Sequence, residues 1–242
     1  MNNLMLDNKI NIIALIPAAG IGRRMQSNCP KQYLKIAGKT IIEHTISLFI
    51  DNPRISKIVI SLNNEDIYFN QLKIAKHLKI KTVIGGCNRS DSVLFGLNYL
   101  LDELSLNNCW VLIHDAVRPC LHKTDLNSII NFIDNDPNSC GGILSYPVRD
   151  TIKRSFKGKI SISHTIERND LWHALTPQFF PLELIKNCLT KALSKKAIIT
   201  DEASALEYCG YYPKLLNGRF DNLKITKQED LILAEFYLSR NI

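Results

Sequence analysis

Short β-branched runs alternate with segments of 3.6-residue apolar period along most of this chain, and that alternation restricts the fold more than any other feature. Residues 10–16, 55–62, 80–84, 109–113 and 141–146 read as strands. Between them, 40–50, 65–78, 90–104 and 124–134 read as helices; in the third, Val93, Leu94, Leu97, Leu100, Leu101 and Leu104 share one face. Strand and helix in alternation require right-handed crossovers, hence an α/β fold with a mostly parallel twisted sheet and helices on both faces. Ligands in such sheets bind beyond the carboxyl ends of the strands. The 242 residues, 45% hydrophobic and 22% charged, suffice for one sizeable core, so 1–242 is expected to form a single domain.

The rhythm breaks between Pro147 and Trp172. Residues 147–154 and 159–166 alternate apolar and polar positions around Gly158, the pattern of a β-hairpin. An isolated hairpin is marginal in water. Either this arm docks against another subunit or it lies on its own domain. Helices at 182–193, 202–208 and 227–240 close the chain, and no second catalytic domain is expected after Ile242.

Seven cysteines form an odd set without a C-x-x-C pair. That argues against a disulfide framework or a zinc site and for a reducing, cytoplasmic setting. The first nine residues carry Asp7 and no long apolar core, so no signal peptide is expected. No run approaches the length of a membrane span. The formal net charge of +7 suits an anionic ligand, but the lysines are scattered, with no basic and aromatic stripe for nucleic acid.

The first strand runs into a small-residue loop, Pro17-Ala18-Ala19-Gly20-Ile21-Gly22-Arg23-Arg24, followed by Pro30-Lys31-Gln32-Tyr33. Small residues let backbone N–H groups approach a ligand, glycine tolerates a tight turn, and the cations add positive charge; together they suit a polyphosphate. A Walker loop is excluded, because no Lys-Ser or Lys-Thr follows the glycines at the required spacing. Met25 stands where a dinucleotide fingerprint needs a third small residue.

Four further segments carry polar residues at strand or loop ends. Gly85-Gly86-Cys87-Asn88-Arg89-Ser90-Asp91-Ser92 leads into a helix; it either reads a nucleotide or simply caps the helix through Ser90 or Asn88. In His114-Asp115-Ala116-Val117-Arg118-Pro119, Asp115 ends a buried strand. It is either a hard-oxygen ligand for Mg²⁺ or the partner of Arg118 in an ion pair. Arg168, after the hairpin, has the fork that clasps a phosphate. Thr200-Asp201-Glu202 and Leu223-Lys224-Ile225 complete the set: Thr200 would serve as an N-cap without a capping box, and Lys224 would face away from its neighbours if it lay in a strand. The histidines show no metal-ligand spacing.

Taken together, these segments resemble the 2-C-methyl-D-erythritol 4-phosphate cytidylyltransferase family over about residues 12–234. His114-Asp115-Ala116-x-Arg118-Pro119, Pro147-Val148-x-Asp150-Thr151-x-Lys153, Thr176-Pro177-Gln178 and Thr200-Asp201-Glu202 make the resemblance specific. It implies a Rossmann-like nucleotidyltransferase fold and transfer of CMP from CTP to a methylerythritol phosphate with loss of pyrophosphate, a step in isoprenoid precursor biosynthesis. It further implies that Arg24 and Lys31 stabilise the reacting phosphate, that Asp115 is linked to Mg²⁺, and that Ala18, Ala19, Gly20, Gly86, Arg89 and Ser92 bind CTP. Thr151, Arg168, Thr200 and Lys224 would hold the sugar phosphate, Thr151 and Arg168 coming from the partner's arm (147–172) in a homodimer. Cys87 and Val117 depart from the family's usual residues. Three alternatives stand beside this reading. A cytidylyltransferase for ribitol 5-phosphate would differ only in acceptor contacts. A non-enzymatic nucleotide-binding regulator would release no pyrophosphate, and a nucleic-acid module would bind with steep salt dependence.

Overall fold

The computed structural model describes residues 10–20, 29–103 and 109–240. A seven-stranded sheet forms the centre, and two short strands, β2 (Lys35–Ile36) and β3 (Lys39–Thr40), pair with one another outside it. Strand β1 (Asn11–Pro17) lies between β4 (Ile55–Leu62) and β6 (Cys109–Ile113), parallel to both, and β5 (Ile80–Ile84) extends the sheet beyond β4. On the other side of β6 run β10 (Trp172–Pro181), β7 (Gly142–Pro147) and β11 (Lys214–Asn217), giving the order β11-β7-β10-β6-β1-β4-β5. Only β10 is antiparallel to its neighbours.

Alternation along β1 divides the core between two faces. Ile12, Ala14 and Ile16 pack with α1 (Ile41–Ile50) and α3 (Lys123–Asn135), whereas Ile13 and Leu15 pack with α2 (Arg89–Glu103), α4 (Leu182–Ser194) and α5 (Glu202–Tyr208). Helices therefore cover both faces, as the alternation of the sequence predicts. A smaller cluster joins Ile36, Val117 and Ile225 to Ala234 of α6 (Glu229–Arg240).

Four details differ from the sequence reading. The helix expected at 65–78 is absent: residues 69–71 and 73–76 form short 3₁₀ turns instead. Asp66 Oδ1 accepts the N–H groups of Tyr68 and Phe69, which tightens the chain into a turn, and Leu72 and His77 are extended. Strands β10 and β11 had no counterpart in the pattern. Pro177 interrupts β10 and offers no N–H, and pairing with β7 lapses between Ala174 and Gln178. Lys224 sits in a loop, not in a strand. Finally, Asp201 rather than Thr200 caps α5, and it does so in a capping box with Ser204.

The hairpin forms from β8 (Ile152–Ser155) and β9 (Ile162–Ile166), which pair with one another and not with the main sheet. Phe156, Ile160 and Ile162 are exposed on it. Its two ends meet at the sheet, where Val148 N–H donates to the Leu171 carbonyl (2.9 Å) and Trp172 pairs with Pro147. No helix among the described residues is long and apolar enough to cross a membrane.

Candidate active site

The carboxyl ends of β1, β5 and β6 open on one cavity. Pro17, Ala18, Ala19, Gly20, Lys31, Gln32, Gly86, Arg89, Ser92, Asp115 and Lys224 line it. The loop after β1 is fastened from behind: Ala18 N–H donates to the Ser61 carbonyl (2.8 Å), and the buried Gln32 amide donates to the Ala18 carbonyl (2.8 Å). Among the described residues, neither Ala19 nor Gly20 has its N–H engaged by a protein acceptor. Gly20 does not use a left-handed backbone, and a β-carbon there would meet nothing among the described residues. The tighter demand falls on Gly85, where a β-carbon would stand 2.6 Å from that of Ala19. Close approach of these two loops shapes the pocket.

Asn88 caps α2 by accepting Asp91 N–H at 2.9 Å. Ser92, expected to read the ligand, spends its hydroxyl inside the loop, donating toward the Asn88 carbonyl (2.8 Å) and accepting Gly86 N–H (3.1 Å). It shapes the glycine turn from within.

Asp115 stands at the end of β6 with three cations around it. Arg89 Nε reaches Oδ1 at 2.9 Å; Arg118 Nε and Lys224 Nζ reach Oδ2 at 3.2 and 3.0 Å. Burial works against ionisation of Asp115, yet Arg89, Lys224 and Arg118 outweigh it and hold the carboxyl far below the usual carboxylate range. The Asp115–Arg118 ion pair read from the sequence is therefore present, as one part of a larger cluster. Arg89 also forks onto the buried Glu202, with Nη2 3.0 Å from Oε2. Lys31 Nζ donates to the Ile225 carbonyl at 3.1 Å, which brings a fourth cation beside Lys224.

A second cavity adjoins the first, lined by Arg89, Asp115, Arg118, Ala174, Leu175, Thr176, Gln178, Thr200, Asp201 and Lys224. Arg89, Asp115 and Lys224 belong to both walls. Around this junction Arg89, Arg118, Lys31 and Lys224 outnumber Asp115, Asp201 and Glu202, a balance suited to phosphate groups.

Of the residues singled out in the sequence, Ala18, Ala19, Gly20, Lys31, Gly86, Arg89, Ser92, Asp115 and Lys224 come together at the first cavity, and Thr200 joins at the second. Thr151 and Arg168 lie on and beside the arm and line neither cavity. Arg24 lies outside the described residues. Sequence reasoning missed Glu202 as the partner of Arg89, for 113 residues separate them. It also missed Gln178, which donates to Asp201 Oδ2 (2.8 Å) and accepts Ala203 N–H (2.9 Å), and His114, whose imidazole burial pushes down to about 4.

No group of three or more His, Cys, Asp or Glu side chains able to hold a metal occurs among the described residues. A single strand-end carboxylate facing a phosphate-sized cavity is the donor set of an ion such as Mg²⁺, which takes one or two carboxylates and completes its shell with water and substrate oxygens. Asp115 is a carboxylate of that kind, and here Arg89, Arg118 and Lys224 occupy both of its oxygens.

The family model for IspD, 2-C-methyl-D-erythritol 4-phosphate cytidylyltransferase, matches residues 12–240. A 2-C-methyl-D-erythritol 4-phosphate cytidylyltransferase of Photorhabdus laumondii is 61% identical over 243 residues, covering 99% of this chain and 100% of that protein. The enzyme of the same name from Klebsiella pneumoniae is 54% identical, covering 95% and 94% of the two chains. The crystal structure of the Francisella tularensis cytidylyltransferase superposes with a TM-score of 0.79 at 35% identity, over 94% of this chain and 99% of that one.

Proposed function

Because the chain belongs to the 2-C-methyl-D-erythritol 4-phosphate cytidylyltransferase family, we propose that the cavity at Ala18–Gly20 takes CTP and the adjoining one takes the sugar phosphate. The protein is a cytidylyltransferase of isoprenoid precursor biosynthesis: it transfers CMP from CTP to 2-C-methyl-D-erythritol 4-phosphate and releases pyrophosphate. The observation that carries the site assignment is the shared wall, where Arg89, Asp115 and Lys224 face both cavities and two anionic substrates would meet.

A phosphate oxygen of the sugar phosphate forms a bond to the α-phosphorus of CTP while the bond from that phosphorus to the bridging oxygen of the β-phosphate breaks. The electron pair leaves with pyrophosphate. No protein nucleophile is needed, and catalysis reduces to alignment and neutralisation of charge. In this reading Lys31 and Arg24 stabilise the charge that builds on the α-phosphate, and Ala18, Ala19, Gly20, Gly86 and Arg89 surround the nucleotide. Ser92 acts through the shape it gives Gly86. Asp115 would hold Mg²⁺, which supplies further neutralisation of phosphate charge when bound. Lys224 and Thr200 hold the acceptor.

Thr151 and Arg168 are assigned to the acceptor site of the partner subunit in a homodimer. Support comes from their absence from either cavity of their own subunit and from the exposed Phe156, Ile160 and Ile162 on the arm. The seven free cysteines accord with a cytoplasmic setting.

The test is pyrophosphate release from CTP and Mg²⁺ with methylerythritol phosphate, with ribitol 5-phosphate, and without acceptor. Release with the first alone, abolished by EDTA, is the expected result. Release with ribitol phosphate alone would overturn the acceptor assignment.

A further inference from the structure

Behind the wall shared by the two cavities, four residues close a ring of hydrogen bonds. His114 Nε2 lies 3.1 Å from the Arg118 carbonyl; Arg118 Nη1 donates to the Asn222 carbonyl at 2.6 Å; Asn222 Nδ2 donates to the Thr176 carbonyl at 2.7 Å; Thr176 Oγ1 lies 2.9 Å from His114 Nδ1. A carbonyl oxygen only accepts, so Nε2 carries the imidazole proton. In the neutral ring Nδ1 is then an acceptor, and the Thr176 hydroxyl donates to it. Every member thus donates to the next, His114 to Arg118 to Asn222 to Thr176 and back.

The ring ties together four separate pieces of chain: the end of β6, the turn that follows it, β10, and the loop that carries Lys224. Asp115 hangs inside it. Its N–H donates to Thr176 Oγ1 at 3.1 Å, using the lone pair left by the ring, and its carboxylate accepts from Arg118 Nε. Lys224, two residues beyond Asn222, reaches Asp115 Oδ2.

His114 and Asn222 are almost wholly buried and line neither cavity. Asn222 Oδ1 has no partner among the described residues. An unsatisfied buried carbonyl costs about 1–3 kcal/mol, roughly what one amide hydrogen bond returns or more. Stability alone therefore gives little reason for an asparagine at this place.

We propose that this ring fixes Asp115 and the Lys224 loop in the wall shared by the two cavities, and that His114 and Asn222 are positioning residues for the transfer. The inference rests on the assignment of the two cavities to CTP and to the sugar phosphate. Neither side chain meets substrate; each acts through the residue it holds. Loosening the ring leaves nucleotide binding in place and lets the reacting groups drift apart, a displacement that costs about 10- to 100-fold in rate when it reaches the ångström scale.

The experiment compares His114→Phe, Asn222→Leu, the double variant and His114→Gln with the unaltered protein, by pyrophosphate release and thermal melting. Both single variants are expected to lose about 10- to 100-fold in kcat with KM for CTP within about two-fold. The double variant should lose no more than the worse single, because its two changes break one unit. His114→Gln, which keeps a donor toward the Arg118 carbonyl, should recover part of the loss. Folded single variants with unchanged kcat, or losses that multiply in the double, would overturn the proposal. Long-range ¹H–¹⁵N correlation on the unaltered protein gives an answer independent of how the variants fold: the Nε2–H tautomer of His114 is expected, and the Nδ1–H tautomer breaks the ring. If the unaltered protein released pyrophosphate with neither acceptor, the cavity assignment itself would fall; full activity with indifferent variants would remove the ring alone.

Discussion

Lys31 shows how a charged side chain is made ready for phosphate. Its stem rises from a 3₁₀ turn (Lys31–Tyr33) that the buried Gln32 fastens to the nucleotide loop, and its ammonium is steadied by the Ile225 carbonyl. Donors fixed in advance need no reorganisation as charge develops, so Lys31→Ala should lower kcat by about two to three orders of magnitude. An unchanged kcat in the folded variant would remove Lys31 from the chemistry. Glu202 works at one remove. Without it, the two outer guanidinium nitrogens of Arg89 lose their carboxylate in a partly buried place, and Glu202→Ala should cost about 3 kcal/mol in urea unfolding, the low end for a broken buried pair because Arg89 retains some exposure. A loss below about 1 kcal/mol would mean that solvent already carries that charge. At this scale the sequence was informative where chemistry is local. Asp115 and Arg118 are three residues apart, and the small residues after β1 announce their loop. Glu202, Gln178 and Asn222 became legible only with the fold, since each meets its partner across strands and loops far apart in the chain.

Helices and strands place these groups, and they do so through ordinary constraints. Gly96 lets α2 lie close on β1, where a β-carbon would strike Leu15 and crowd the Ser61 hydroxyl. Gly96→Val should destabilise the protein by about 1–3 kcal/mol, measured by denaturant midpoint, through overpacking between helix and sheet. At the other end of the chain, Asp230 folds back over the start of α6 and accepts from Thr226 N–H, Thr226 Oγ1 and Lys227 N–H at 2.7–2.9 Å. Burial opposes its ionisation, but the Thr226 and Lys227 N–H donors prevail and hold its pKa below the ordinary 3.8. A carboxylate depressed in the folded state contributes fully above its unfolded pKa and loses that contribution as pH falls below it. Asp230→Asn should therefore cost about 1 kcal/mol at pH 7 and progressively less below pH 4, so the two stability curves converge in acid. A gap independent of pH would show that the charge is irrelevant. Helix and strand periodicity was readable for most of this framework, including α1, whose Thr40 and Glu43 capping box emerged only with the coordinates. It failed at 65–78, where one aspartate redirects an apolar, helix-like run, and at β10, whose central proline disguises a strand.

The whole molecule raises a question of how many chains make one site. If the partner's arm completes the acceptor pocket, Lys31→Ala and Arg168→Ala fail for different reasons and on different subunits. Each variant alone should be severely impaired, Arg168→Ala chiefly in its affinity for the sugar phosphate. Mixing them after dissociation and reassociation should restore about a quarter of the sites, because half of the dimers pair unlike chains and each of those holds one intact site. No recovery on mixing would place Arg168 in its own subunit's pocket or outside the chemistry. The sequence marked out the hairpin as a segment apart from the α/β rhythm, but only the coordinates show how it is mounted. It leaves the sheet at Pro147 and returns at Trp172, with Val148 and Leu171 joined by a hydrogen bond. A segment whose two roots touch is an interchangeable fitting: another hairpin of different length and sequence can be set into the same socket without strain on the strands beneath. In the proposed dimer, two copies of this enzyme could thus be given mutually exclusive partners by trading arms while their catalytic bodies stay the same.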